Sequence, residues 1–210
     1  MHFADLDAVT VDGYGTLLRL TDPVPGLRAA LAERGVKRDD ADVARAFRAE
    51  VAHYRPRAHD GRDAGSLAAL RRGCVGVFLA DLSGPLEPDG FVDAFMGCLV
   101  FEPVPGASDA LRDLRQRGLL IAVVANWDYA LPEQLEQLGL DGLVDTVVTS
   151  ARAGAAKPDP AIFELALEEL GVIADRALHV GDEPIDEEGA LAAGLAFAPA
   201  PLSGAFAGWS

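Results

Sequence analysis

The chain has 210 residues, half of them hydrophobic and 24% charged, with a formal net charge of −15. Such a composition belongs to a soluble globular protein of one or two domains, and the negative charge argues against nucleic acid or an anionic membrane as partner. No apolar run nears the roughly 20 residues of a membrane span, and Met1-His2-Phe3-Ala4-Asp5 does not read as a signal peptide, so a cytoplasmic location is expected.

The first predicted element is a strand over 8–12, where Val9-Thr10-Val11 closes on Asp12, followed by Gly13 and Gly15. Ligands of open α/β sheets lie outside the carboxyl ends of the strands. Asp12 is therefore placed where a carboxylate acts as nucleophile or metal ligand, unless Asp12-Gly13 is an ordinary turn. From 20 to 100 the patterns are helical only, at 26–34, 40–54, 66–82 and 90–100. Leu67, Leu70, Cys74, Val77 and Phe78 recur at three- and four-residue steps and predict one buried stripe. Cys74 and Cys98 fall inside these apolar patterns and are expected to be buried thiols rather than a disulfide or metal ligands. Residues 52–63, with Arg55 and His59, are basic and aromatic in an acidic chain. They read either as a loop that binds the anionic tail of a substrate or as a solvated loop with incidental charge.

Asp22-Pro23-Val24-Pro25 and Glu102-Pro103-Val104-Pro105 flank the helical stretch as two linkers of a hinge. Beyond it, strands at 119–125, 145–149, 177–180 and 195–198 alternate with helices at 107–117, 131–138, 160–170 and 187–193. That alternation predicts a parallel sheet covered on both faces. The expected division is a core of 1–19 and 101–210 and a helical domain of 20–100, with a low-complexity tail from Ala198.

The cations are 16 arginines and two lysines, Lys37 and Lys157. A lysine kept at 157, in the loop Ala156-Lys157-Pro158-Asp159-Pro160 at the sheet's carboxyl edge, points to a need for a compact ammonium. Asp182 and Asp186 follow the strand 177–180, four residues apart at the opening of a helix. Two or three hard carboxylates with a backbone carbonyl make a Mg²⁺ site, whereas helix N-capping alone would account for Asp186.

Four segments in this order resemble the haloacid dehalogenase (HAD) superfamily of hydrolases. They are Asp12-Gly13-Tyr14-Gly15-Thr16-Leu17 at a strand end, the strand 120–125 running into Asn126-Trp127-Asp128, Lys157, and Gly181-Asp182 with Asp186 beyond. The resemblance implies an α/β fold, a Rossmann-like open parallel sheet with helices on both faces, and an all-helical cap inserted after the first strand, over the crevice. It implies Asp12 as nucleophile of an ester intermediate that water hydrolyses, and Lys157 as the neutralising cation, with Tyr14 and Thr16 completing the catalytic segment. Mg²⁺ would be held by Asp12, the backbone carbonyl of Tyr14, Asp182 and Asp186. Ala125 and Asn126 would meet the substrate, with Arg55 and His59 of the cap.

Two positions depart from the family's phosphatases. Tyr14 stands where they carry a second Asp as general acid and base, and a phenol is a poor base at neutral pH. Asp-x-Tyr-Gly-Thr-Leu is instead the form of the family's 2-haloacid dehalogenases, which use no metal. Ala125 replaces a Ser or Thr that binds anionic oxygen, leaving the Asn126 amide as a donor. Charge counting pulls the other way. Asp12, Asp182, Asp186 and Lys157 sum to −2, and a divalent cation brings the site to zero. The expectation is a Mg²⁺-dependent phosphatase of a small anionic metabolite, monomeric or homodimeric. The alternatives are a metal-independent haloacid dehalogenase-like enzyme and a non-catalytic HAD-fold binding protein.

Overall fold

The computed structural model describes residues 5–83 and 85–206. The chain divides into two compact units, one of Met1–Arg19 with Glu102–Ser210 and one of Leu20–Phe101.

In the first unit the strands are β1 (Ala8–Val11), β2 (Leu18–Leu20), β3 (Phe101–Pro103), β4 (Leu120–Ala125), β5 (Thr146–Thr149), β6 (Ala177–Gly181) and β7 (Ala196–Pro199), where β2 and β3 run into the second unit. Five of them form one parallel sheet in the order β5-β4-β1-β6-β7. β1 is buried along its length. Its Val11 pairs with Val123 on one side and Val180 on the other, so the central strands end level and present their carboxyl edges together.

Alternation along the strands sorts the side chains between two layers. Val9, Val11, Ile121, Val123, Leu178 and Val180 pack with leucines 111, 114, 131 and 135. Ala8, Ala122, Val124 and Ala177 face the other way, against Ile162, Phe163, Ala166 and Leu167. The intervening segments supply these helices. In chain order the second unit holds α1 (Val24–Glu33), α2 (Asp40–Tyr54), α3 (Ala64–Asp81) and α4 (Val92–Gly97). The first holds α5 (Ala107–Gln116), α6 (Leu131–Gln137), α7 (Ser150–Ala153), α8 (Ala161–Leu170) and α9 (Pro184–Ala192). α5 and α6 carry the first leucine set, and α8 carries the second layer with Ala190 of α9. This is an α/β sheet with helices on both faces.

The helical unit has a core of its own. Asp39 caps α2 through the Asp42 amide, and Asp63 and Ser66 form a capping box on α3. The Phe78 ring stacks on Phe91 at 6.1 Å and meets the Phe95 ring edge-on at 5.1 Å, among Leu27, Leu31, Val43 and Leu79. Aromatic pairs of this kind add about 0.5–1.5 kcal/mol to the area they bury.

Several expectations need correction. Val77 is only half-buried, and Val75 and Leu79 take the core positions of α3, because the buried face is wider than a single stripe. Cys98 is half-exposed rather than buried, while Cys74 is buried. β2 and β3, three residues each, were not foreseen. They pair with one another beside the proline joints, tied by Thr21 N to Val100 O at 2.9 Å and Val104 N to Leu17 O at 2.9 Å. The one-turn helix α7 was also missed. In the Ala/Pro/Gly-rich tail, Leu202 and Ala205 are buried in the core.

Candidate active site

β1 ends at Val11, and the Asp12 amide still donates to Val180 O at 2.9 Å, which holds Asp12 against the end of β6. The chain then doubles back, with the Leu17 and Leu18 amides both donating to Gly13 O at 3.0 and 2.8 Å. Gly15 sits in this turn at φ +95°, and a Cβ there would lie 2.2 Å from Asp182 Oδ2. Only glycine supplies both the backbone conformation and the room for that carboxylate. Gly181 gives room in the same way for Asp186, whose side chain would lie 2.4 Å from an added Cβ.

Asp12, Asp182 and Asp186 present oxygens that all lie within 4.8 Å of one another, with Asp12 and Asp186 buried and Asp182 exposed. Lys157 enters this cluster from the loop before α8. Its Nζ forms an ion pair with Asp12 and donates to Asp186 Oδ1 at 2.6 Å and to Val124 O at 2.9 Å. All three ammonium hydrogens are thereby used. Asp182 accepts from the buried Thr16 hydroxyl at 3.4 Å. Asp186 also serves as a cap: its Oδ2 accepts from the Glu183 amide at 3.0 Å in the capping box of α9. The capping reading of Asp186 holds on Oδ2, while Oδ1 meets the Lys157 ammonium.

Burial raises the Asp12 carboxyl to about 7, and Asp186 and Asp182 push in the same direction against the opposing pull of Lys157. For Lys157, burial works against the ammonium, but Asp12 and Asp186 outweigh it and the pKa rises. Burial also opposes ionisation of Asp186, yet the His179 hydrogen bond and the Lys157 charge hold it well below the usual carboxylate range. Asp182 is raised by burial and then by its acidic neighbours Asp186 and Glu183. The cluster therefore carries more negative charge than its single cation neutralises.

Asn126, expected to face a substrate, also grips the Lys157 backbone. Its Nδ2 donates to Lys157 O at 3.0 Å and its Oδ1 accepts from the Lys157 amide at 2.7 Å, clamping the lysine's backbone from the end of β4. Ala125 is buried in the core, 3.0 Å from where a Gly13 Cβ would lie, and has no polar side-chain atom to offer a substrate. Tyr14 is 49% exposed on the turn. Arg55 and His59 lie in the helical unit on a 3₁₀ segment, Arg55–Asp60, with His59 Nε2 at 3.6 Å from Asp60.

Two residues of this neighbourhood escaped the sequence reading. Thr10 and His179 are fully buried register partners on β1 and β6, joined by Thr10 Oγ1 and His179 Nδ1 at 2.8 Å. His179 Nε2 reaches Asp186 Oδ1 at 3.3 Å. Burial, aided by Lys157, depresses the imidazole to about 4, so it is neutral at neutral pH. The available signal was two polar side chains in otherwise apolar central strands.

Comparison with known proteins identifies the family. Residues 6–194 match the family described as haloacid dehalogenase-like hydrolase. The chain is 33% identical over 212 residues to the mouse haloacid dehalogenase-like hydrolase domain-containing protein 3, covering 92% of this chain and 81% of that protein. It is 36% identical over 206 residues to a phosphoglycolate phosphatase of Rhodospirillum rubrum, covering 90% and 76%. Among solved structures, L-2-haloacid dehalogenase from Xanthobacter autotrophicus shares the fold with a TM-score of 0.70 at 24% identity, over 92% and 77% of the two chains. The chain belongs to the haloacid dehalogenase-like hydrolases and is an enzyme of that class.

Proposed function

We propose that this hydrolase is a Mg²⁺-dependent phosphatase of a small phosphorylated metabolite, with Asp12 as its nucleophile. The observation that carries the reading is the convergence of Asp12, Asp182 and Asp186 oxygens within 4.8 Å, with the Lys157 ammonium bound to two of the three. Three carboxylates against one cation leave a charge of −2, hostile to an anionic substrate. The donors are hard oxygens, which suit Mg²⁺, and the exposed Asp182 leaves one side open. Asp12, Asp182, Asp186 and the Tyr14 carbonyl would hold the ion. When bound it would offset the excess charge and polarise the phosphoryl group.

In this reading the Asp12 carboxylate attacks phosphorus, expels the alkoxide and becomes an acyl phosphate. Water then cleaves that bond and releases inorganic phosphate. Lys157 keeps Asp12 oriented and stabilises charge on the transferring group. Thr16 steadies Asp182. The phosphatase named among the relatives supports this choice of substrate class.

Tyr14 favours a second reading, displacement of halide from a 2-haloacid, since a halide leaves without a proton. A panel of phosphomonoesters and 2-haloacids, each with Mg²⁺ and with chelator, separates the two. Phosphate release that needs Mg²⁺ and vanishes in Asp12→Asn is expected. Dehalogenation that persists in chelator would replace the phosphatase reading, and no turnover of either class would leave a binding protein.

A further inference from the structure

Central strands of a parallel sheet are buried on both faces and are normally apolar throughout. Thr10 and His179 break that rule side by side, paired in register on β1 and β6 and both fully buried. The imidazole lies between two aromatic rings, Phe163 edge-on at 4.9 Å and Phe197 at 6.4 Å. Burying a polar ring there is unfavourable unless both nitrogens find partners, and an apolar pair of the same shape would meet the packing demand alone. Both nitrogens do find partners: Nδ1 with the Thr10 hydroxyl at 2.8 Å, and Nε2 with Asp186 Oδ1 at 3.3 Å.

The donor inventory fixes the direction of both bonds. Asp186 is in an ion pair with Lys157, so its carboxylate only accepts, and Nε2 must carry the hydrogen. Nδ1 of the neutral ring must then accept, which makes the Thr10 hydroxyl the donor. Asp186 thus sets the tautomer, and the Thr10 hydroxyl completes it by donating to Nδ1. The Asp186 carboxylate receives three donors from three elements: His179 of β6 and Lys157 of the loop on Oδ1, and the Glu183 amide of α9 on Oδ2. Its rotation is fixed, and with it the seat of the ammonium that meets Asp12.

We infer that His179, anchored through Nδ1 by Thr10, is a positioning residue that orients Asp186 and through it the Lys157–Asp12 pair. The inference rests on the reading of Asp12, Lys157 and Asp186 as the working site, and it gives the chain Thr10–His179–Asp186–Lys157–Asp12 a direction. His179 touches no reacting atom and acts only through the carboxylate.

The first test uses the wild-type, metal-free protein. Nitrogen-15 spectra of the His179 ring should show hydrogen on Nε2 and an accepting Nδ1; hydrogen on Nδ1 overturns the inference. The second compares three variants by Mg²⁺ calorimetry, kcat, KM and thermal midpoint. A glutamine amide reaches about where Nε2 lies, an asparagine amide only where Nδ1 lies. His179→Leu should weaken Mg²⁺ binding and lower kcat by about 10–100-fold with KM little changed, the range for groups that orient a metal-binding carboxylate. His179→Gln should recover activity to within a few-fold, and His179→Asn should not. Full activity in His179→Leu, or equal losses in the Gln and Asn variants that follow the thermal midpoint, would reduce His179 to packing. A wild type that binds no Mg²⁺ sinks the metal reading alone, and the tautomer and the Gln–Leu contrast in kcat still decide the positioning role.

Discussion

Tyr14 stands two residues beyond Asp12, on the turn where a carboxylate would protonate the leaving alkoxide and then activate water. General acid–base assistance of that kind contributes about 10²–10⁴-fold, so turnover of alkyl phosphates is expected to be slow. Nitrophenyl phosphate, whose leaving group needs no proton, should suffer much less. Tyr14→Asp is then expected to accelerate alkyl phosphate hydrolysis by at least about tenfold and aryl hydrolysis hardly at all. Steady-state rates on one ester of each kind check this. Equal effects on both would show that position 14 takes no part in proton transfer. A fall in dehalogenation on the same change would instead mark the new charge as repelling a haloacid carboxylate.

At the scale of elements, the end of β4 and the loop before α8 are joined by Asn126 and the Lys157 backbone. Asn126→Ala removes two hydrogen bonds, and with each worth about 1 kcal/mol the expected loss is about 1–3 kcal/mol in urea unfolding. kcat should fall with it, since Lys157 then lacks the clamp that aims it. Lost stability with unchanged kcat would show that the loop holds its course without Asn126. β1, β4 and β6 were legible in the sequence because buried parallel strands read as continuous apolar runs that end in polar residues. β2, β3 and α7 were not, because three or four residues carry no period and these elements exist through partners distant in the chain. The same limit governs the site. Asp12, Lys157, Asp182 and Asp186 declared themselves by sitting just past strand ends or in a loop beside them. Asn126 was legible as a polar residue at a strand end, but its bond to the Lys157 backbone was not, since that backbone lies 31 residues away. His179 was hidden inside a strand, where pattern reading expects only packing.

Across the whole molecule, acidic groups far outnumber basic ones, and the cluster around Asp12 repeats that imbalance in miniature. Asp12 titrates near 7 instead of 3.8, chiefly through burial. A carboxyl raised on folding contributes stability that is complete below its unfolded value and is lost as pH climbs through its folded one. Without metal, Asp12 therefore erodes stability between about pH 4 and 7, and Glu50, raised by burial from 4.5 to about 7 in the helical unit, acts in the same direction. Asp186, held low, acts oppositely: its contribution is present above the ordinary carboxylate range and is lost only in acid. His179, depressed from 6.5 to about 4, likewise favours the fold as pH rises through that interval. The total pH profile is thus a sum of opposed groups, and the Mg²⁺-dependent part reports the metal's ligands alone, among them Asp12 and Asp182, both raised. Metal ligands must be deprotonated, so Mg²⁺ binds against the proton on Asp12. At pH 6, one unit below that pKa, apparent affinity should be about tenfold weaker than its limit, or ~1.4 kcal/mol. With Mg²⁺ at about 100 times its high-pH dissociation constant, stabilisation should approach ~2.7 kcal/mol at pH 8 and about half that at pH 6. Paired thermal melts with Mg²⁺ and with chelator at the two pH values measure the difference. Asp12→Asn should shrink its pH dependence, leaving the part due to Asp182, whereas a stabilisation equal at pH 6 and pH 8 would place Asp12 outside the metal's ligands.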